Sequence, residues 1–262
     1  MRQAIERIAR AVAEAERLLI ITGAGLSADS GLPTYRGLGG LYNGHTAEGL
    51  PIEAALSGPM LQRDPALCWK YLAELGKACL GAQPNAAHRA IAELQGLKPG
   101  CWVLTQNIDG YHRAAGSPAQ RLIEIHGQLA PLYCLSCAAE DAQLLEHLQR
   151  PLPPLCARCG GVLRPPVTLF EERLPEAAID ALYAQLEQGF DLVLSVGTSA
   201  SFPYIVEPVL RTRRRGGLTV EVNPSHTDLS DVVDIRLPGR ALDVFPELLS
   251  HIQRHRICKS PR

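Results

Sequence analysis

The chain has 262 residues and a formal net charge of −1, its 26 basic and 27 acidic side chains nearly cancelling. That balance argues against a nucleic-acid or charged-membrane footprint, and no specific nucleic-acid binding is expected. With 46% of residues hydrophobic the length suits one large domain, or a large domain carrying a smaller one, while no apolar run approaches the roughly 20 residues needed to cross a bilayer.

Residues 3–17 predict an amphipathic helix, with Ile5, Ile8, Val12 and Ala15 at helical spacing. Glu6, Glu14 and Glu16 lie among its arginines, unlike a secretory or transit peptide. Leu18–Thr22 is a short apolar run of strand length, closed by a glycine-rich segment from Gly23 to Gly31. Further strands are predicted at Cys101–Thr105, Leu122–Ile125, Asp191–Val196, Leu218–Val222 and Val233–Leu237. These runs are mostly apolar on both faces, as buried parallel strands are. Helical patterns lie at Pro84–Gln95, Pro175–Gln188 and Asp243–Arg254. The alternation predicts an α/β fold, a Rossmann-like doubly wound parallel sheet. Two stretches break it: 38–83, with a helix near Pro65–Cys79, and 128–166. The expected division is therefore a large unit of 1–37, 84–127 and 167–262, against a small zinc-binding and helical one built from the two insertions.

The second insertion holds Cys134-x-x-Cys137 and Cys156-x-x-Cys159. Each Cys-x-x-Cys turn can hold two thiolates on one ion, and two such turns complete a tetrahedron. Four sulfurs leave no position open for water, so the expected cofactor is one structural zinc ion per chain. The alternatives are two disulfides or four unrelated thiols. The other cysteines, Cys68, Cys79, Cys101 and Cys258, are scattered, which suits a reducing compartment and a cytoplasmic location.

After the first strand, Gly23 and Gly25 let backbone turn sharply and approach a phosphate, Ser27 adds a hydroxyl and Arg36 a bidentate cation. The spacing is not Gly-x-Gly-x-x-Gly, because Ala28 stands at the third position. Read whole, Gly-Ala-Gly-Leu-Ser-Ala-Asp-Ser-Gly-Leu-Pro-Thr-Tyr-Arg-Gly (Gly23–Gly37) resembles the sirtuins, the NAD-dependent protein deacylases. Matching motifs follow in the same order: Thr105-Gln-Asn-Ile-Asp-Gly110, Ile125-His-Gly127, the four cysteines, Arg164-Pro-Pro-Val167 with Phe170, Gly197-Thr-Ser199 and Val222-Asn-Pro224. The likeness runs from about Leu18 to Leu249.

The resemblance implies cleavage of the bond between nicotinamide and ribose, with attack by the acyl oxygen of a substrate lysine. The resulting O-alkylamidate passes its acyl group to a ribose hydroxyl, so NAD is a co-substrate and acylated protein lysines are the partners. A base must take the hydroxyl proton, and His126 matches the family's catalytic histidine. Gly23, Ala24, Gly25, Ser27, Tyr35 and Arg36 match cofactor contacts, as do Gln106, Asn107, Ile108 and Asp109 around the ribose and nicotinamide. Gly197, Thr198 and Ser199 match phosphate and ribose contacts; Asn223 and Ala241 match positions beside the adenosine. Val167 and Phe170 match the substrate-peptide groove, where Glu171 replaces the family's usual glycine.

Sirtuins that remove acidic acyl groups carry a Tyr-x-x-Arg pair on the helix of the small domain. Here Leu72 and Leu75 take those places, with Gly49 small enough nearby to leave room for longer chains. The implied acyl pocket prefers neutral, apolar groups over succinyl or malonyl. Other readings are mono-ADP-ribosyl transfer on the same fold, a NAD(P) oxidoreductase and a zinc-ribbon binding module. The run Arg211-Thr-Arg-Arg-Arg215 reads as a solvated helix end rather than a nucleic-acid patch.

Overall fold

A computed structural model describes residues 1–32 and 45–259, with side chains to 254. Tyr35 and Arg36, and the start of the first insertion, lie outside the described residues. Strand β1 (Leu18–Thr22) is buried along its whole length, as an all-apolar run covered on both faces must be. Helix α1 (Arg2–Glu14) lays Ile5, Ile8 and Val12 into the core on one side of it. It ends short of residue 17 because the amides of Glu16 and Arg17 both donate to the Asp191 carboxylate at 2.8 Å.

A short helix, α2 (Ala24–Ala28), leaves β1 at once. The first insertion then folds as α3 (Ile52–Ala55), α4 (Gly58–Arg63) and α5 (Pro65–Leu80). Ser57 and Asp64 cap the last two, each followed by a proline in the first turn. Gly49 is therefore separated from α5 by two short helices. Helix α6 (Ala86–Leu97) starts at a capping box formed by Asn85 and His88, then come β2 (Cys101–Thr105), α7 (Tyr111–Ala114) and β3 (Leu122–Glu124). The second insertion contains β4 (Leu132–Cys134), β5 (Glu140–Asp141), α8 (Leu144–His147) and β6 (Leu163–Arg164), its strands forming an antiparallel sheet in the order β5-β4-β6.

The chain closes with α9 (Glu176–Gln188), β7 (Leu192–Val196), α10 (Pro203–Arg214), β8 (Leu218–Val222), β9 (Ile235–Leu237) and α11 (Ala241–Lys259). Only the end of α10 was expected, from its arginine run, because Pro203 opens it and Pro208 lies inside it. Strand β9 is two residues shorter than its apolar run.

The large sheet is wholly parallel, in the order β3-β2-β1-β7-β8-β9. The chain winds outward from β1 to β3, then restarts at β7 on the other side of β1. Ligands of such sheets bind beyond the carboxyl ends of the strands at that reversal. Two apolar clusters cover the faces of this sheet. A third joins Ile52, Trp69 and Leu72 to Leu132, Leu148, Leu163 and Val167, so the two insertions bury their apolar surface in common. Trp69 fixes the joint by donating its indole N–H to the Leu163 carbonyl at 2.8 Å. Among the described residues no helix is long and apolar enough to cross a membrane.

At the reversal the turns after β1 and β7 meet backbone to backbone. The Gly25 amide donates to the Gly197 carbonyl at 2.8 Å, and a β-carbon on Gly25 would lie 2.7 Å from the Gly197 α-carbon. Gly25→Ala therefore forces the two turns apart. Chemical denaturation is expected to show a loss of about 1–3 kcal/mol, the usual cost of overpacking a tight contact.

Candidate functional site

Above the carboxyl ends of β1, β2 and β7, main chain and amide side chains close a ring. Gly23 donates its amide to Val196 at 3.1 Å, while Asn107 Nδ2 donates to the Gly23 carbonyl at 3.0 Å. Gln106 Nε2 donates to Thr198 Oγ1 at 2.7 Å, and Asn223 Nδ2 donates to the Thr198 carbonyl at 3.0 Å. Gly197 turns with φ +58 and a β-carbon there would lie 2.5 Å from the Leu26 amide nitrogen, so only glycine fits. Ala24 opens α2 between the two glycines. Ser199 is exposed and shares a hydrogen bond with Ser201 at 2.9 Å. Ala241 opens α11, but its methyl belongs to the main core.

Beneath the ring runs a buried polar network. Ser27 Oγ donates to Asp109 Oδ2 at 2.7 Å, receives Asn107 Nδ2 at 3.2 Å, and lies 3.4 Å from His88 Nε2. Burial raises the Asp109 pKa, opposed by its bonds from Ser27 and the Tyr111 amide. His112 Nε2 meets Thr22 Oγ1 at 2.9 Å, and Thr22 Oγ1 also bonds Thr105 across the sheet. Burial pushes His88 down to about 4 and His112 to about 3, so both are neutral at physiological pH. They serve as fixed hydrogen-bonding groups; sequence reading gave no signal for them beyond the place of His88 in a predicted helix.

His126 differs. It stands two residues beyond β3, where the second insertion leaves and returns: Thr168 donates its amide to the His126 carbonyl at 2.8 Å. The next residue, Gly127, has φ +79, and a β-carbon there would lie 1.9 Å from the Pro166 carbonyl oxygen. His126 Nδ1 faces the Gln106 carbonyl at 3.0 Å. A carbonyl only accepts, so Nδ1 carries the hydrogen and Nε2 keeps its lone pair. Burial lowers the pKa of this imidazole, against the opposing pull of the Gln106 carbonyl. Nε2 is met by the Tyr204 hydroxyl at 2.8 Å, a partner that sequence reading missed because α10 was not recognised through its prolines.

Val167 pairs with Gly127 and Phe170 with Ser57, so the segment after β6 bridges to both the β3 turn and the helical insertion. Arg164 clamps it, donating to Glu172 at 2.6 and 2.9 Å and to the Val167 carbonyl at 2.6 Å. Glu171 is exposed with φ +65, a conformation that costs a non-glycine residue about 1–2 kcal/mol. The chain thus keeps a backbone shape suited to the glycine it lacks. Leu72 is buried, and Leu75 and Ile108 are partly buried in the same apolar cluster as Val167 and Phe170. A β-carbon on Gly49, at φ +77, would meet nothing within 4 Å.

The sulfurs of Cys134, Cys137, Cys156 and Cys159 all lie within 4.8 Å of one another, with close pairs at 3.4, 3.5 and 3.8 Å. Disulfides are excluded at those separations, since a bonded pair lies near ~2.05 Å. Four sulfurs at about 2.3 Å from a central zinc would stand about 3.8 Å apart, so the set fits a closed tetrahedral site. Burial pushes the thiols of Cys68, Cys79 and Cys101 up to about 12, leaving them inert.

The Sir2 family model matches residues 23–203, a span that holds the glycine turn, His126 and the four cysteines. The chain belongs to the Sir2 family. It is 74% identical over 250 residues to NAD-dependent protein deacylase 2 of Pseudomonas aeruginosa, covering 95% of this chain and 98% of that protein. Among solved structures, a triple mutant of a Sir2 homologue in complex with 2′-O-acetyl ADP-ribose aligns with TM-score 0.86 at 35% identity, covering 98% of this chain and 99% of that one. A Sir2 protein bound to a myristoylated histone peptide aligns with TM-score 0.81 at 28% identity, covering 99% and 100%.

Elemental analysis of the purified protein is expected to give one zinc per chain. Cys137→Ser is expected to lower the midpoint of thermal unfolding and to cost activity through the small sheet. Active, folded protein without stoichiometric zinc would contradict the tetrahedral site.

Proposed function

We propose that this NAD-dependent protein deacylase works in the cleft above β1, β2, β3 and β7, with His126 as the base. One observation carries the reading: among His88, His112 and the half-buried His126, His126 alone has its tautomer set by a carbonyl that leaves Nε2 as the basic nitrogen. The bare turns at Gly23, Ala24 and Gly25 and at Gly197, Thr198 and Ser199 suit a dinucleotide, since main chain can approach phosphates there. NAD supplies the electrophilic ribose carbon and the hydroxyl that receives the acyl group. Asn107 and Asp109, held through Ser27, hold the carboxamide end, with Ile108 beside them; Gln106 and Asn223 serve the riboses, and Ala241 lies against the adenosine side. Tyr35 and Arg36 belong to the same site by resemblance.

The acyl-lysine lies along Val167 and Phe170, and its acyl chain enters the apolar cluster beside Gly49, Leu72 and Leu75. Placing a carboxylate there without a cation would cost several kcal/mol, whereas each buried methylene gains about 0.8 kcal/mol. The myristoylated peptide held by a relative supports an apolar pocket. The small unit comprises 38–83 and 128–166, a division supported by their shared apolar cluster. Zinc holds that unit and takes no part in the chemistry. The location is cytoplasmic. Nucleic acid is not a partner: Arg211 pairs with Glu207 at 2.6 Å and Arg213 with Asp234 at 3.7 Å, while Arg215 caps carbonyls at the end of α9.

His126→Ala is expected to reduce turnover about 10²–10⁴-fold, the usual worth of a positioned base, with release of nicotinamide and acyl-ADP-ribose followed by mass spectrometry. A fully active variant would sink the assignment. The base must be neutral and its pKa lies below the ordinary 6.5, so the acid limb of kcat/KM is expected below pH 6.5. A limb centred above 7 would contradict the burial argument.

Acetyl, butyryl, myristoyl and succinyl forms of one peptide are expected to separate sharply, with succinyl slowest by tenfold or more. Succinyl turnover equal to acetyl would remove Leu72 and Leu75 from the pocket.

A further inference from the structure

A base can take a proton only through a free lone pair, and here that lone pair is engaged. With Nδ1–H committed to the Gln106 carbonyl, Nε2 accepts the Tyr204 hydroxyl at 2.8 Å. Burial pushes the Tyr204 phenol up to about 12, so it stays protonated and remains a donor. Its ring is stacked on Phe202 at 5.3 Å and 10°, and both rings meet the imidazole edge-on, at 6.0 and 5.9 Å. The aromatic pair therefore caps the very nitrogen that the chemistry requires.

The cap stands beside a strained turn. Tyr204 belongs to the first turn of α10, directly after the turn at Gly197–Ser199. Between them Ala200 is held at φ +57, a left-handed conformation that a residue with a β-carbon adopts at a cost. Ser199, Ser201 and Phe202 are exposed, Phe202 at 38%, while Ala200 and one side of Tyr204 pack on the apolar cluster beneath, so the pair is open on its outer side only. Strain beside an exposed aromatic at a functional turn is the pattern of a two-position element.

We propose that Tyr204 is a latch on the catalytic histidine. In the free enzyme its hydroxyl occupies His126 Nε2 and holds the ring in its working tautomer. The ribose hydroxyl of the co-substrate, the same kind of donor, takes its place on binding, and the Tyr204–Phe202 pair swings off with the strained turn. No covalent step is added: one O–H···N bond is exchanged for another. The inference rests on the reading of His126 as the base.

Two readouts test it, one of them independent of turnover. Diethyl pyrocarbonate acylates unprotonated imidazole nitrogen, and mass spectrometry of the His126 peptide in the free enzyme reports access to Nε2. Tyr204→Phe keeps the stacked ring and removes the hydroxyl. It is expected to speed His126 modification several-fold and to tighten ADP-ribose binding in calorimetry by roughly three- to tenfold, the worth of one competing hydrogen bond. Phe202→Ala keeps the hydroxyl and removes the stack; an intermediate acceleration of modification is expected, and it covers the case in which Tyr204→Phe folds poorly. Unchanged modification and unchanged affinity in both variants would overturn the latch. So would a tenfold or greater fall in kcat for Tyr204→Phe, because the hydroxyl would then be relaying the proton rather than blocking it. Failure of the His126 assignment is seen separately: His126→Ala would stay active whatever the modification rates are.

Discussion

Backbone pressed against backbone at the centre of the parallel sheet is the constraint on which the rest hangs. Gly25 and Gly197 approach so closely that neither tolerates a β-carbon, and their hydrogen bond locks the turn after β1 to the turn after β7. That contact aligns the carboxyl ends of the central strands. The polar ring of Gln106, Asn107, Thr198 and Asn223 is anchored on the same two turns, so the ring and the fold's centre are one structure.

The insertions use this platform rather than altering it. The second one departs and returns at Gly127, whose bare α-carbon admits the Pro166 carbonyl. His126 is thereby fixed from three sides: by β3 before it, by the Gln106 carbonyl on its ring and by the Thr168 amide on its backbone. The four-cysteine cluster and the Arg164–Glu172 pair hold the rest of the insertion, and Val167 and Phe170 tie its return to Gly127 and Ser57.

Much of this is legible in residues. The apolar runs gave all six parallel strands, because strands covered on both faces stay mostly apolar even where single polar residues such as Glu221 and Arg236 interrupt them. The cysteine spacing carried the metal site, and His126 stood out through its motif. What was hidden depends on contacts between distant segments. Tyr204 reaches His126 across 78 positions, and its helix is masked by Pro203 and Pro208. His88 and His112 carry no signal in the sequence, and only burial in the fold shows them as neutral hydrogen-bonding groups. Glu172 becomes a clamp only once Arg164 arrives from β6. The departure at Glu171 was visible in sequence, but its left-handed backbone was not.

Hydrogen–deuterium exchange with and without ADP-ribose tests most directly whether the dinucleotide meets the chain at the reversal of the sheet. Protection is expected in peptides spanning 23–28, 105–109 and 197–201, with the cysteine segment 134–159 unchanged. Protection confined to the small sheet, or none at the two glycine turns, would contradict it.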